Sequence, residues 1–189
     1  VEIAKGSDGK DILEHVDGGV TVSTLVNWEN DGDNRWIFGF GKVHEDIEYG
    51  NAYFFVTPFH GNNRTIVSGI SEGGWRTETR IAGPSPLTVN KWKLVTSVLN
   101  EVEQTITVYV DGVQVAHGSI KKADNSDRKI ANIIDYNASY SGFLSKSIFG
   151  NDAYCKEKIA DFRVYGGPLS SSEVAALYVE AQSKILKLH

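Results

Sequence analysis

A chain of 189 residues is long enough for one sizeable core and reads as a single domain. Its net charge of −5 comes without any basic cluster, which excludes a phosphate-tracking surface and with it nucleic acid as a partner. No apolar run approaches the roughly 18 to 20 residues a membrane helix needs, so no membrane is expected, and the single cysteine leaves no internal disulfide to form.

The 19 glycines and the many Val, Thr, Ile and aromatic residues suit strands joined by tight turns better than helices. The opening VEIAKG alternates Val1 and Ile3 with no preceding turn, as if an earlier edge strand were missing, supplied elsewhere or never present. Ser7 to Gly19 is polar and glycine-rich, a loop or short turn anchored by Ile12 and Leu13. Val20 to Trp28 is a strand, with Val20, Val22, Thr24, Val26 and Trp28 on one face. After an Asp/Asn/Gly turn at Glu29 to Asn34, the segment RWIFGFG (35–41) places Trp36, Phe38 and Phe40 opposite Ile37, Gly39 and Gly41. Its glycine face admits close approach by another group.

A charged loop, Val43 to Gly50, leads to the strand Ala52 to Pro58, which Pro58 ends for lack of a donor. Arg64 to Ile70 and Trp75 to Ile81 read as a hairpin across Glu72-Gly73-Gly74. In its second arm Arg76, Glu78 and Arg80 share one face, which is expected to be wet. Lys91 to Gly118 is sheet throughout: a strand from Trp92 whose two faces both carry apolar groups, a strand through Ile106, Val108 and Val110, and a return from Val113. Asp111-Gly112 closes the last reversal, because a two-residue hairpin turn wants positive φ. Lys121 to Asn137 is polar and expected to be a surface loop. Phe162 and Val164 alternate with Asp161, Arg163 and Tyr165 in a last strand. Ser170 with Glu173 forms a capping box for a short helix, whose Val174, Leu177 and Tyr178 should lie against the sandwich edge.

The stretches TVYVDG with VQVAHG, RWIFGFG, AYFFVTP and, above all, the ending GFLSKSIFGNDAYCKEKIADFRVYGGPLSSSEV together resemble the laminin-G-like, concanavalin A-like jelly rolls over Val20 to Tyr178. The resemblance implies an all-β, two-sheet antiparallel jelly-roll sandwich with one short C-terminal helix, occupying residues 1–181, with 182–189 a tail, linker or helix extension. Such domains are often appended to secreted glycoside hydrolases. The implied function is a non-catalytic carbohydrate-binding or accessory module, extracellular, whose partners are a polysaccharide or glycan, for instance of plant cell-wall type, and a neighbouring catalytic domain. A protein-interaction or adhesion domain and a structural spacer packed on a catalytic domain are the alternatives. The resemblance also implies a structural calcium, for which Asp161, or the turn at Asp31 and Asp33, has the oxygen ligands. Two departures bear on these expectations: Gly39 stands where the family's strand has Asp, and Ala160 stands where an Asp usually precedes the last strand's core, which leaves a metal-free domain equally open.

Catalysis is not expected. A retaining glycosidase needs two carboxyl groups about 5 to 5.5 Å apart, and in the nearest candidate, Glu45-Asp46-Ile47-Glu48, Glu45 and Glu48 point to opposite faces of a strand. The five histidines are scattered without metal-ligand spacing, and no G-x-S-x-G is present. Sugars are gripped instead by aromatic faces aided by a few fixed polar groups. The candidates are Trp36, Trp75, Phe149 and Tyr154, with Arg35, Lys146, Asn151 and Asp152 as polar partners and the loop Phe149 to Tyr154 as the focus. Trp28 and Trp92 are expected in the core, and Cys155 as a small buried hydrophobe. Asn63-Arg64-Thr65 and Asn137-Ala138-Ser139 fit the N-glycosylation pattern, by chance or by use in a glycosylating pathway.

Overall fold

Apolar residues at every second position of Val20 to Trp28 commit that segment to a strand with one face in a core, and the rest of the sandwich assembles around it. The computed structural model describes residues 1–30, 32–43, 50–137 and 140–188. Asp31, the acidic stretch Glu45 to Glu48, and Ala138 and Ser139 of the second glycosylation pattern lie outside the described residues.

Eleven described strands follow in chain order: β1 (Glu2–Ala4), β2 (Gly19–Trp28), β3 (Phe38–Val43), β4 (Gly50–Thr57), β5 (Val67–Ser71), β6 (Thr79–Ala82), β7 (Trp92–Asn100), β8 (Thr105–Val110), β9 (Val113–Ser119), β10 (Tyr140–Leu144) and β11 (Glu157–Tyr165), with the helix α1 (Ser171–Ile185) after them. They form a six-stranded sheet in the order β1-β10-β3-β4-β5-β6 and a five-stranded sheet in the order β11-β2-β7-β8-β9. All neighbours pair antiparallel. The fold is therefore the expected jelly-roll sandwich. Val1 to Gly6 contributes a true edge strand, β1 against β10.

The core lies between the sheets. From β2 it takes Val20, Val22, Val26 and Trp28; from β3 and β4 Phe38, Phe40, Phe54 and Val56; from β8 Ile106 and Val108. Each such side chain contributes about 1.5–3 kcal/mol by leaving water. Cys155 is buried in the same cluster. At the β8–β9 turn Asp111 (φ 53°) and Gly112 (φ 75°) both adopt the left-handed conformation. The Asp111 carboxylate accepts hydrogen bonds from Leu94 N–H (3.0 Å) and Lys93 Nζ (2.6 Å), which ties the turn back to β7.

Four expectations are corrected. The strand around RWIFGFG starts at Phe38, and Ile37 and Phe38 both enter the core, so the alternation breaks and Trp36 turns to the opposite, outer face. Trp75–Thr77 is a 3₁₀ turn, and the strand begins only at Thr79. The polar loop 121–137 buries Arg128 and anchors itself through Ile130, Ile133 and Ile134. Finally, α1 crosses the outer face of the five-stranded sheet and not its edge. Val174 packs on Val98 and Tyr109, and Ala181, Leu177, Tyr178 and Ile185 pack on Leu25, Leu94 and a half-buried Trp92. Apolar groups on both faces of β7 require that cover, and the helix runs on to Ile185 to supply it.

Candidate functional site

With α1 over one sheet, the outer face of the other carries the concentration of aromatic and ionisable groups. Glycines in β3 and β5 shape it. A Cβ at Gly39 would lie 2.3 Å from the Trp36 ring, and one at Gly69 2.5 Å from the Phe55 ring, so each ring lies flat where a side chain is missing. Trp36 stacks on Phe55 (centroids 4.3 Å apart, planes 12° apart), and Phe149 meets Trp36 edge-on at 5.9 Å and Tyr53 at 5.5 Å. This is a second apolar cluster, separate from the core between the sheets.

A polar network is set into it. Glu78, its side chain only 5% exposed, accepts a hydrogen bond from the Tyr53 hydroxyl (2.6 Å) and one from Arg80 Nε. His60 Nε2 lies 3.9 Å from Glu78 Oε1, while His60 Nδ1 accepts the Asn63 N–H at 3.4 Å. Burial, then the neighbouring Arg80 charge, holds the His60 pKa below the usual imidazole value, against the pull of Glu78 and Asp33. The ring is thus neutral near pH 7, and with Nδ1 accepting, its proton sits on Nε2 facing Glu78. Burial and the Glu78 charge raise the Tyr53 hydroxyl far above the normal phenol range, so it remains a donor.

Over this network opens a depression of about 220 Å³. Trp36, Phe55 and Phe149 form its apolar lining, and Trp75, 56% exposed, stands at its side. Asn34, Asn62, Arg80 and Asp152 supply polar groups. Burial raises the Asp152 carboxyl above its ordinary value, opposed by a hydrogen bond from Ser147 and by Lys146 and Arg35. The arrangement offers a flat apolar surface beside fixed donors and acceptors, which suits a ring with one C–H face and several hydroxyls.

Of the residues singled out in the sequence, Trp36, Trp75, Phe149 and Asp152 line this depression. Trp36 does so from a nearly buried position. Arg35, Lys146 and Tyr154 form a bracket beside it: Arg35 Nη1 donates to Tyr154 O (3.1 Å), and Lys146 Nζ lies 5.5 Å from the Tyr154 ring and 5.8 Å from that of Phe143. Asn151 sits on an exposed turn and does not line the depression. Sequence reasoning missed Asn34, His60, Asn62, Glu78 and Arg80. The usable signal was the Glu78/Arg80 alternation, read as a wet face although an ion pair there with aromatic neighbours can be buried.

Calcium does not fit at Asp161. Its Oδ2 accepts hydrogen bonds from Lys184 Nζ (2.6 Å) and Arg163 Nε (3.0 Å), two cations where a metal would have to approach. Among the described residues no three His, Cys, Asp or Glu side chains converge as ligands.

Three solved structures show how widely this arrangement of sheets recurs. Domain 4 of AbnA, a GH43 extracellular arabinanase from Geobacillus stearothermophilus in complex with arabinotriose, matches with a TM-score of 0.62 at 16% identity, over 86% of this chain and 68% of that one. The CBM40 of the Ruminococcus gnavus IT-sialidase bound to α2,3-sialyllactose matches with 0.65 at 13% identity, over 94% and 95%. The NanB sialidase of Streptococcus pneumoniae matches with 0.63 at 16% identity, over 93% of this chain and 27% of that one. At such identities the likeness is one of fold. No curated protein sequence matches the chain. The family described as the concanavalin A-like lectin/glucanases superfamily matches residues 8–175, nearly the whole length, and the chain belongs to that superfamily.

Proposed function

We propose that this chain is a non-catalytic carbohydrate-binding module that holds a glycan on the outer face of its six-stranded sheet, working outside the cell beside a polysaccharide-acting catalytic domain. One observation carries the reading: the aromatic depression with its fixed polar groups lies on the sandwich face that α1 leaves open. The fold is shared with an arabinanase domain in complex with arabinotriose and with a sialidase CBM40 bound to sialyllactose, and it occurs within a larger sialidase. These relatives support a glycan ligand, of plant cell-wall or other origin. The site chemistry supports binding over bond cleavage. Glu78 is held by hydrogen bonds from Tyr53 and Arg80, which fix it as an acceptor at the floor of the depression.

Affinity gels with arabinan, xylan, fructan and β-glucan test the reading. Retardation by at least one of them, lost in Trp75→Ala, is the expected result, with no release of reducing ends and no effect of a chelator. Chain cleavage abolished by Asp152→Asn would establish a hydrolase instead, since Glu78 and Asp152 line the same depression. Absence of retardation on a full glycan array would remove the lectin reading.

A further inference from the structure

Beside the first depression lies a larger groove of about 630 Å³, between the turn Trp75–Thr77 with the start of β6 on one side and the loop 121–128 on the other. The two hollows share Glu78, and consecutive residues divide between them, Trp75 lining the first and Arg76 the second. The Arg76 guanidinium lies 5.2 Å from the Trp75 ring, so ring and cation make one continuous surface across the boundary.

The groove is held open by a fixed group. Arg128, only 3% exposed, donates through Nε to Ile120 O (2.7 Å) and through Nη2 to Thr77 O (2.7 Å) and Thr79 Oγ1 (3.0 Å). These bonds span the loop and β6 and set the distance between the two walls. The residue lines the groove, and its remaining nitrogen, Nη1, has no hydrogen bond to the described residues. That nitrogen is not sealed off from the groove, and it is a ready donor for a ligand there. The other charges alternate in sign: Lys122 pairs with Glu72 (2.5 Å), and the Asp124 carboxylate accepts from Ser126 N–H and Oγ. A lining with both donors and acceptors and little net charge suits hydroxyl groups, which donate and accept, better than an anion.

We propose that this groove is a second subsite for the same ligand, so that the protein binds an internal stretch of a neutral polysaccharide lying across Trp75 and Arg76, and not a single terminal sugar. The inference rests on the first depression being a glycan site. Titration calorimetry with disaccharides and octasaccharides of arabinose, xylose and β-glucose tests both layers. The octasaccharide that binds is expected to do so about tenfold more tightly than its disaccharide. Ala123→Trp, which fills the groove from an exposed loop position, should remove that gain and leave the disaccharide affinity unchanged. As a readout independent of any variant, the Arg128 Nε–H resonance should shift with the octasaccharide and not with the disaccharide. Equal affinity at both lengths, a gain that survives Ala123→Trp with Arg128 unmoved, or preference for an acidic oligogalacturonide overturns the second subsite alone. Absence of binding at either length overturns the second subsite, and together with no retention on a full glycan array it overturns the glycan reading beneath it.

Discussion

Single residues decide the shape of the binding face. Gly39 has no side chain because the Trp36 ring occupies that space at 2.3 Å from where a Cβ would be. Gly39→Ala must displace Trp36 from Phe55, at a cost of about 1–3 kcal/mol of overpacking. The expected outcome is a lower urea midpoint with an unchanged slope and a parallel loss of glycan retention. Tyr53→Phe removes the hydroxyl that donates to Glu78 and leaves a carboxylate short of a partner in a nearly dry site. A loss of about 1–3 kcal/mol in stability is expected by the same denaturation. Trp75→Ala separates binding from folding. Its ring is more than half exposed, so stability should stay within about 0.5 kcal/mol of the parent while retention falls.

At the scale of an element, the helix is pinned at both levels of its contact with the five-stranded sheet. Below, Val174 and Ala181 bury themselves against Val98, Tyr109, Leu25 and Leu94. At its side, Asp161 and Arg163 of β11 reach Lys184 and Glu180 of α1, with Arg163 forked onto both Glu180 oxygens at 2.9 and 2.5 Å. Burial acts to raise the Asp161 pKa, but the hydrogen bonds from Lys184 and Arg163 outweigh it and hold the carboxyl below its ordinary value. A depressed carboxyl stabilises the fold fully above its unfolded pKa and ceases to do so as pH falls through the folded one. The stability difference between the parent and Asp161→Asn should therefore be full above about pH 4 and close below it. A difference that stays constant down to acid pH would show that the bridge does not hold α1. Because the pair is partly exposed, added salt should shrink the gap.

At the scale of the whole molecule, one core joins the two sheets, with satellite clusters on both outer faces. Calorimetry should then show one transition, with equal calorimetric and van't Hoff enthalpies. Two resolved transitions would mean that the outer clusters and α1 unfold apart from the sandwich. Much of this architecture was legible in the chain alone. The two-residue period of Val20 to Trp28, the Asp111-Gly112 reversal and the Ser170/Glu173 capping box are local signals, because pleat, turn geometry and helix capping are settled among residues close in sequence. The side on which a residue ends up is a different matter. Trp36 left its expected face because Ile37 and Phe38 both found room in the core, and Glu78 became buried because Tyr53 of β4 and His60 of a distant loop closed around it and its neighbour Arg80. The sequence by itself thus determined strands, turns and the superfamily. Only the tertiary structure decided which groups share the open face, since hydrogen bonding and desolvation between segments distant in the chain depend on where the two sheets and the helix come to rest.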